Sequence, residues 1–114
     1  MSGLGEIAVF TDDVAAVAAF YRAVTGSDPV SEWPGGALFA VGDGKILVHE
    51  RAAAMQDGPP NEDHFALTVD DLDAAVAAVG ARGYAALHEA TDYPWGRSAY
   101  FRDPDGRLVE LTQG

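Results

Sequence analysis

One carboxylate stands where an apolar residue would be expected. Glu110 lies between Val109 and Leu111 in what otherwise reads as an apolar strand near the end of the chain. A buried carboxylate is costly unless it is hydrogen-bonded or paired with a cation. Glu110 therefore predicts a polar site on one face of that strand, where it would serve acid–base chemistry or charge recognition. Arg97 and Arg102 are candidate partners for it.

A second segment that could do chemistry is the loop Tyr-Pro-Trp-Gly-Arg at residues 93–97. It places an aromatic ring, a glycine and a cation just before a predicted strand. Loops held by a rigid scaffold often carry binding residues, and a guanidinium pairs well with an anionic group. We expect Trp95 to contact a ligand and Arg97 to meet an anionic group on it. Trp33, Phe39 and Tyr100 are further candidates to line the site, with ordinary core packing as the alternative.

The chain repeats itself. Residues 6–14 read Glu-Ile-Ala-Val-Phe-Thr-Asp-Asp-Val and residues 64–72 read His-Phe-Ala-Leu-Thr-Val-Asp-Asp-Leu. The segments at 44–48 and 106–110 also match, in the same order. Two ordered matches indicate two copies of one module. We predict a single domain over residues 1–114, with module one at about 1–50, a linker at 51–62 and module two at about 63–114.

The first module begins with alternating residues that predict a strand near Gly5–Phe10, where Glu6 faces away from Ile7. The acidic pair after it predicts a helix cap. The helix should bury one stripe and end at a glycine, and three strands should follow it. The stripe is Val14, Val17, Tyr21 and Val24; the glycine is Gly26; the strands are near Val30–Trp33, Ala37–Val41 and Lys45–Glu50.

The second module repeats this order. Its helix should bury Leu72, Ala75, Val76 and Val79 and end near Gly80 or Gly83, and a proline–glycine turn at 103–106 should join its last two strands. Its strands are expected near Phe65–Val69, Tyr84–His88, Arg97–Arg102 and Arg107–Thr112. The fold class is therefore α+β, with two βαβββ modules whose helices each cover one sheet face. The uncovered faces are expected to form a curved mixed-sheet cup that holds a ligand.

The composition of the chain limits the classes of partner that we expect it to bind. The 114 residues carry a formal net charge of −11 and no cysteine. Nucleic acid and anionic membrane surfaces both attract basic patches, so we expect neither as a partner. Without cysteine, disulfides and thiolate metal sites are excluded. No apolar run approaches the roughly 20 residues of a membrane span. We expect a cytoplasmic protein.

These residues resemble the vicinal oxygen chelate superfamily, which includes glyoxalase I, the bleomycin resistance proteins and the extradiol dioxygenases. The resemblance covers nearly the whole chain. It rests on Phe20-Tyr21 followed by Gly26, on residues 63–71 (Asp-His-Phe-Ala-Leu-Thr-Val-Asp-Asp), and on residues 103–111 (Asp-Pro-Asp-Gly-Arg-Leu-Val-Glu-Leu). It implies paired βαβββ modules forming a cup, the glyoxalase/bleomycin resistance/dihydroxybiphenyl dioxygenase fold, usually within a homodimer.

The resemblance also implies a metal site. Metal-dependent members bind a divalent ion with His or Glu side chains from the first and last strands of each module. His64 and Glu110 match two of these positions, and Glu6 matches a third at which histidine or glutamine is commoner. The fourth position falls on Val48 or Leu47, neither of which binds a metal. A substitute would be Glu50, which shares a strand face with Val48, or His49, which shares one with Leu47.

Two functions follow from the resemblance. The first is a metal-dependent lyase, isomerase or dioxygenase acting on a small oxygen-rich molecule, with Zn²⁺, Ni²⁺, Mn²⁺ or Fe²⁺ polarising the substrate and Glu110 or Glu6 as base. The second is a metal-free binding protein that sequesters a small antibiotic-like molecule, with no cofactor. The ordinary alternatives are a strand-end role for His64 and a solvated surface role for Glu6. Open sheet edges also predict a homodimer.

Overall fold

The structure, a computed structural model, describes residues 3–51 and 58–114. Much of the predicted linker, residues 52–57, lies outside these ranges. The described chain forms eight strands and two helices in the order expected for two βαβββ modules. The elements are β1 (Gly3–Thr11), α1 (Val14–Thr25), β2 (Ser31–Trp33), β3 (Gly36–Val41), β4 (Gly44–Glu50), β5 (His64–Val69), α2 (Leu72–Ala81), β6 (His88–Tyr93), β7 (Gly96–Arg102) and β8 (Leu108–Gln113).

The chain divides into two compact units. The first unit is Glu6–Asp63, and the second is His64–Gly114 together with residues 3–5. In the first, β1 pairs parallel with β4, which pairs antiparallel with β3, which pairs antiparallel with β2. The second repeats this order, since β5 pairs parallel with β8, β8 antiparallel with β7, and β7 antiparallel with β6. Each unit is thus a mixed sheet with one helix, which confirms the α+β fold class.

Each helix covers one face of its own sheet. In the first unit a buried cluster of Ala18, Ala37, Phe39 and Val48 packs with Val14, Val17 and Tyr21 of α1. In the second, Leu72 of α2 lies in a cluster with Val69, Ala99, Phe101 and Leu111. The predicted α2 stripe is confirmed, because Ala75, Val76 and Val79 pack against this cluster. The two cores leave the opposite face of each sheet without a helix of its own unit.

The repeated Asp-Asp pairs start both helices. Asp13 accepts a hydrogen bond from Ala16 N at 3.0 Å, and Asp71 accepts one from Ala74 N at 3.1 Å. Each side chain satisfies an amide that the first helical turn leaves without a partner. At its other end α1 stops at Gly26, as predicted, with φ of 71° and a hydrogen bond to Arg22 O. The capping chemistry therefore sets where both helices begin.

Two sequence expectations are wrong in detail. Val24 is 62% exposed although it follows Val17 by seven residues and lies on nearly the same side of α1, because it belongs to the last turn, after the residues Val14, Val17, Ala18 and Tyr21 that pack on the sheet. The strand expected at 84–88 lies instead at His88–Tyr93. This strand is polar and irregular, with a register shift between His88 and Thr91, so its position follows from pairing with β7 rather than from alternation.

The turn at Asp103 is held by its own side chain. Asp103 Oδ1 accepts hydrogen bonds from the backbone N–H groups of Asp105 and Arg107, each at 2.9 Å. The bond from the Arg107 backbone is the largest cause that lowers the pKa of Asp103 below its ordinary value. The turn that joins β7 to β8 is therefore ordered by hydrogen bonds to an ionised carboxylate.

None of the helices in the described ranges has the length and apolar character needed to cross a membrane.

Two glycines predict opposite effects on stability. A Cβ at Gly36 would lie 2.5 Å from Val48 O and 2.6 Å from the Trp33 ring, whereas a Cβ at Gly80 in α2 meets nothing within 4 Å. We expect Gly36→Ala to lower the free energy of unfolding by about 1–3 kcal/mol through overpacking. Gly80→Ala should raise it by about 0.5–1 kcal/mol, since alanine favours the helix. Urea denaturation of both variants measures this, and a neutral Gly36→Ala would contradict the tight β3–β4 packing.

Candidate functional site

The candidate site lies on the face of the second sheet that α2 does not cover. Ala99, Phe101 and Leu111 pack with the helix. Because strand side chains alternate, Tyr100 and Glu110 point to the opposite face. The register sets them side by side, since Tyr100 pairs with Glu110 across β7 and β8. The face of the second sheet that points away from α2 therefore carries Glu110, the carboxylate that the sequence predicts to lie in a polar site.

The partner of Glu110 is His64. The distance from His64 Nε2 to Glu110 Oε1 is 3.0 Å, and the two side chains are only 6% and 7% exposed. A carboxylate accepts hydrogen bonds, so Nε2 carries the proton in this pair and Nδ1 of a neutral imidazole holds the lone pair. The pair explains how β8 holds a carboxylate in an apolar run. It also brings together two of the three residues expected at the starts and ends of the modules.

A hydroxyl pair completes the surroundings of Glu110. Ser98 Oγ lies 2.7 Å from Glu110 Oε2 and 3.0 Å from Thr112 Oγ1. A hydroxyl has one proton, so Ser98 donates it to the carboxylate and accepts from Thr112. Both oxygens of Glu110 are thus hydrogen-bonded. Within the described ranges no buried side-chain nitrogen or oxygen lacks a partner.

Sequence reasoning missed Ser98 and Thr112. The signal was available, because both lie an even number of residues from a polar or aromatic site candidate on the same strand: Ser98 from Tyr100 and Thr112 from Glu110. Their pairing across β7 and β8 needed the register, in which Ser98 lies opposite Thr112. The register depends on the five-residue connection between β7 and β8, and the pattern of apolar residues does not determine how that connection aligns the two strands.

Aromatic rings surround the pair. Tyr100, which is buried, meets the His64 ring edge-to-face at a centroid distance of 5.8 Å. It also meets the rings of His88 at 6.0 Å and Tyr93 at 6.1 Å. Tyr93 in turn stacks on Trp95 with centroids 4.7 Å apart and planes 2° apart. Of the expected aromatic site residues, Tyr100 and Trp95 are thus linked through Tyr93 to His64.

The register identifies the residue equivalent to Glu110 in the first unit. Ala66 of β5 pairs with Glu110, and Ala8 of β1, which occupies the same place in the repeat, pairs with Leu47. Leu47, not Val48, therefore matches Glu110. The first unit has no carboxylate where the second has its catalytic candidate. Glu6, equivalent to His64, lies opposite Lys45 in this register.

The same alternation decides between His49 and Glu50. Val48 packs under α1, so Leu47 and His49 share the face away from the helix and Glu50 does not. The His49 ring lies 5.3 Å from the Phe10 ring, and its Nδ1 is 2.8 Å from Glu50 O. A carbonyl oxygen only accepts, so Nδ1 carries the proton here. Of the two proposed substitutes, His49 lies on the same face of the first sheet as Glu6.

Arg97 lies on the helix side of its sheet. Its guanidinium donates to Asp73 of α2 at 2.9 Å and to Asp92 of β6 at 3.2 Å. The hydrogen bond to Asp73 is the largest cause that raises the pKa of Arg97. Arg97 is therefore not the partner of Glu110, which is held by His64 and Ser98. Trp95 has different neighbours, because it stacks on Tyr93, whose ring meets Tyr100 on the face away from α2.

The remaining aromatic candidates lie in the first unit. Phe39 is 1% exposed in the core beneath α1, near Tyr21, so it packs against the helix and takes no part in the site proposed below. Trp33 lies on the short strand β2 and is 39% exposed. Its ring lies over Gly36, where any side chain would collide with it.

The donor atoms fit a divalent ion in part. If a metal ion binds two ligand atoms at about 2.1 Å each, with a right angle between the two bonds, those ligand atoms lie about 3.0 Å apart. The distance from His64 Nε2 to Glu110 Oε1 matches this separation. Across residues 3–51 and 58–114, no group of three or more His, Asp or Glu side chains is placed to hold a metal ion. The second unit thus supplies a pair of donors, and a metal would need a further ligand.

Comparison with solved structures shows the same fold. An NAD-dependent benzaldehyde dehydrogenase from Legionella pneumophila is 12% identical with a TM-score of 0.77, covering 95% of this chain and 96% of its own. Methylmalonyl-CoA epimerase from Mycobacterium tuberculosis is 20% identical with a TM-score of 0.76, covering 97% and 87%. The Streptomyces coelicolor epimerase in complex with 2-nitronate-propionyl-CoA is 20% identical with a TM-score of 0.74, covering 100% and 98%. No curated protein matches the chain.

The family is shown by the sequence itself. The model of the Glyoxalase/Bleomycin resistance protein/Dioxygenase superfamily matches residues 3–111, which include every site residue predicted from the sequence. This agrees with the paired βαβββ units and with the place of His64 and Glu110 on the first and last strands of the second one. The chain belongs to the Glyoxalase/Bleomycin resistance protein/Dioxygenase superfamily.

Proposed function

We propose that this protein is a glyoxalase-like enzyme that moves a proton next to a carbonyl group of a small oxygen-rich molecule, in lyase or isomerase chemistry. The observation that carries the proposal is the buried His64–Glu110 pair with Ser98 behind it. A purely structural role would be served as well by apolar residues in this strand, because a buried ion pair adds little net stability over good packing.

The hydrogen bonds of the pair support a different role for each residue. Both oxygens of Glu110 are hydrogen-bonded, so the carboxylate is held in a fixed orientation beside His64. His64 donates from Nε2, so Nδ1 is the basic nitrogen. Histidine is the side chain most often used for proton transfer in enzymes. His64 is therefore the proposed base, and Glu110 holds its tautomer and stabilises the imidazolium that forms, as in other carboxylate–histidine pairs.

A divalent ion would be held by His64 and Glu110, and the family resemblance implies Glu6, together with His49 or Glu50, as its further ligands. When bound, Zn²⁺, Ni²⁺, Mn²⁺ or Fe²⁺ would polarise a substrate carbonyl as a Lewis acid. His64 and Glu110 would then bind and orient, and Glu6 would be the remaining carboxylate able to accept a proton.

One observation favours a second function. Leu47 stands where the repeat would place a counterpart of Glu110, so the first unit lacks one polar position. A metal-free protein that binds and sequesters a small molecule needs no ligand at this position. The alternative proposal is therefore a binding protein of the resistance type, in which His64 and Glu110 recognise polar groups of the ligand.

Hydrogen–deuterium exchange tests the enzyme without knowledge of the product. The protein is incubated in deuterium oxide with small α-keto acids and α-hydroxy aldehydes, and loss of the α C–H signal is followed by proton NMR. We expect His64→Gln to slow exchange by roughly 10²–10⁴-fold, the usual contribution of a general base. Glu110→Gln should cost about as much, because an amide would favour the wrong imidazole tautomer.

The matched control is His88→Gln, which also removes an imidazole beside Tyr100 but touches neither Glu110 nor Ser98 in any described hydrogen bond. It should leave exchange within about twofold. Exchange by the unaltered protein that persists undiminished in His64→Gln would overturn the assigned role. Binding of these compounds with no exchange at all would favour the sequestering protein.

Metal binding is tested after treatment with a chelator. We expect Ni²⁺ or Zn²⁺, titrated by calorimetry, to bind one site per chain and to lose at least about tenfold in affinity in Glu6→Gln, since each protein ligand contributes to coordination. Glu89→Gln, on the polar strand β6, is the matched control for charge. Equal affinity in the two variants would remove Glu6 from the site.

We also propose that the protein is a cytoplasmic homodimer. The support is the outer face of α1, where Phe20 and Val24 are 60% and 62% exposed. The helix contains no carboxylate, in a chain of net charge −11. Arg22, the charged residue of α1, is paired with Asp28 and Glu32. Two copies of like net charge repel least at an apolar face, so the side of α1 that carries Phe20 and Val24 is the proposed contact with a second copy.

Sedimentation velocity checks the dimer. Added salt should strengthen association by screening the net charge. Phe20→Glu should shift the population toward monomer, whereas Val41→Glu, which adds the same charge at an exposed position of β3, should not. A monomer at micromolar concentration in both low and high salt would rule the dimer out.

A further inference from the structure

Three aromatic residues of the second unit form one connected stack, which we call the aromatic platform: Tyr93, Trp95 and Tyr100. Tyr100 is buried and its ring meets Tyr93 edge-on at 6.1 Å. Tyr93 carries Trp95 in a parallel stack at 4.7 Å. The platform therefore begins beside the His64 ring and ends on a tryptophan that is 58% exposed.

The platform is held in place before any ligand arrives. Tyr93 and Gly96 pair across the β6–β7 hairpin, and Gly96 has φ of 147°, a conformation that side chains rarely adopt. Stacking on Tyr93 fixes the orientation of the Trp95 indole, so the binding of a ligand ring to Trp95 costs little further side-chain entropy. A large exposed aromatic surface that is already rigid is the type of group that binds flat ligands at low entropic cost.

The charges around the platform disfavour anions. Arg97, two residues from Trp95, is turned to the helix side and shared between Asp73 and Asp92. The chain as a whole carries −11. An electron-rich indole face in a negative field attracts cations, which gain a cation–π interaction there.

We infer that the aromatic platform binds a planar ring system that is cationic or neutral, and that it discriminates against anionic ligands. This reverses the expectation that Arg97 receives an anionic group. The inference shares Tyr100 with the face of the proposed enzyme but does not depend on proton transfer. It describes the ligand that Trp95 selects, whichever of the two proposed functions holds.

The test uses three flat probes of similar size: N-methylquinolinium (cationic), quinoline (neutral at neutral pH) and quinaldate (anionic). Calorimetry measures their affinity for the full chain at low and high salt, so that non-specific attraction to an acidic protein is separated from stacking. In a Trp33→Phe background Trp95 is the sole tryptophan, and quenching of its fluorescence reports binding at the platform.

We expect the unaltered chain to bind N-methylquinolinium at least about fivefold more tightly than quinaldate, the scale of an exposed cation–π contact. Trp95→Ala should weaken N-methylquinolinium binding at least about fivefold, and Trp95→Phe should recover most of it. Trp33→Ala, which removes the other tryptophan, should change it by less than about twofold.

Equal affinity in the unaltered chain and Trp95→Ala overturns the inference. So does quinaldate binding as tightly as the cation, or no binding of any probe at millimolar concentration. Glu110→Gln should keep platform binding while it loses deuterium exchange. A variant that loses deuterium exchange but still binds the probe therefore bears only on the proposed enzyme. A variant that loses probe binding but keeps exchange contradicts only the proposed role of the aromatic platform.

Discussion

The burial of one carboxylate constrains the second unit more than any other interaction. Glu110 sits on a strand whose neighbours in sequence are apolar, and its side chain is nearly inaccessible to water. Such a group is tolerated only if its charge is matched by hydrogen bonds, so β5 and β7 must each bring a donor to it. His64 comes from the first and Ser98 from the second. A shift of either register by one residue would turn these donors to the helix face and leave Glu110 unpaired. The polar cluster thus fixes the pairing of three strands as firmly as the apolar core does.

The two modules show how a repeated fold can differ in chemistry. Both keep the strand order, the parallel closing pair and the aspartate that caps the helix. The polar positions were not kept. Where the second module has His64 and Glu110, the first has Glu6 and Leu47. Since a leucine needs no partner, the first module is free of the constraint that orders the second. The same face of β4 carries His49 two residues after Leu47, and the His49 ring is oriented by the carbonyl of Glu50. Of the two modules, the second therefore carries the candidate chemistry.

Sequence patterns predicted the repeated parts of this fold well, because each depends on local physical chemistry. Alternation identified β1, β5 and β8 to within about two residues, and the Asp-Asp pairs identified both helix starts. The edge strand β6 could not be placed, since its side chains are mostly polar and its position follows from pairing with β7. The exposure of Val24 was missed because the spacing of apolar residues along an alanine-rich helix does not show which of them, at its last turn, still packs against the sheet. For the site, His64 and Glu110 were found from the repeat and the isolated charge. Their mutual contact and the role of Ser98 needed the cross-strand register, which no local pattern contains.

The two faces of the β6–β7 hairpin carry different side chains, and this difference determines what the hairpin can recognise. In sequence Trp95, Gly96 and Arg97 look like one cluster that combines stacking with charge. In the folded hairpin, the Tyr93 ring meets Tyr100 on the face away from α2, while Arg97 bonds to Asp73 on α2 itself. The cation is then used to fasten the helix to the sheet, between two carboxylates that also neutralise it. What is left with Trp95 is an aromatic surface without its cation, in a chain with a large excess of negative charge. The sign of the ligand charge that such a surface favours follows from the face on which the Arg97 guanidinium lies, because the same residues with Arg97 beside Trp95 would favour the opposite sign.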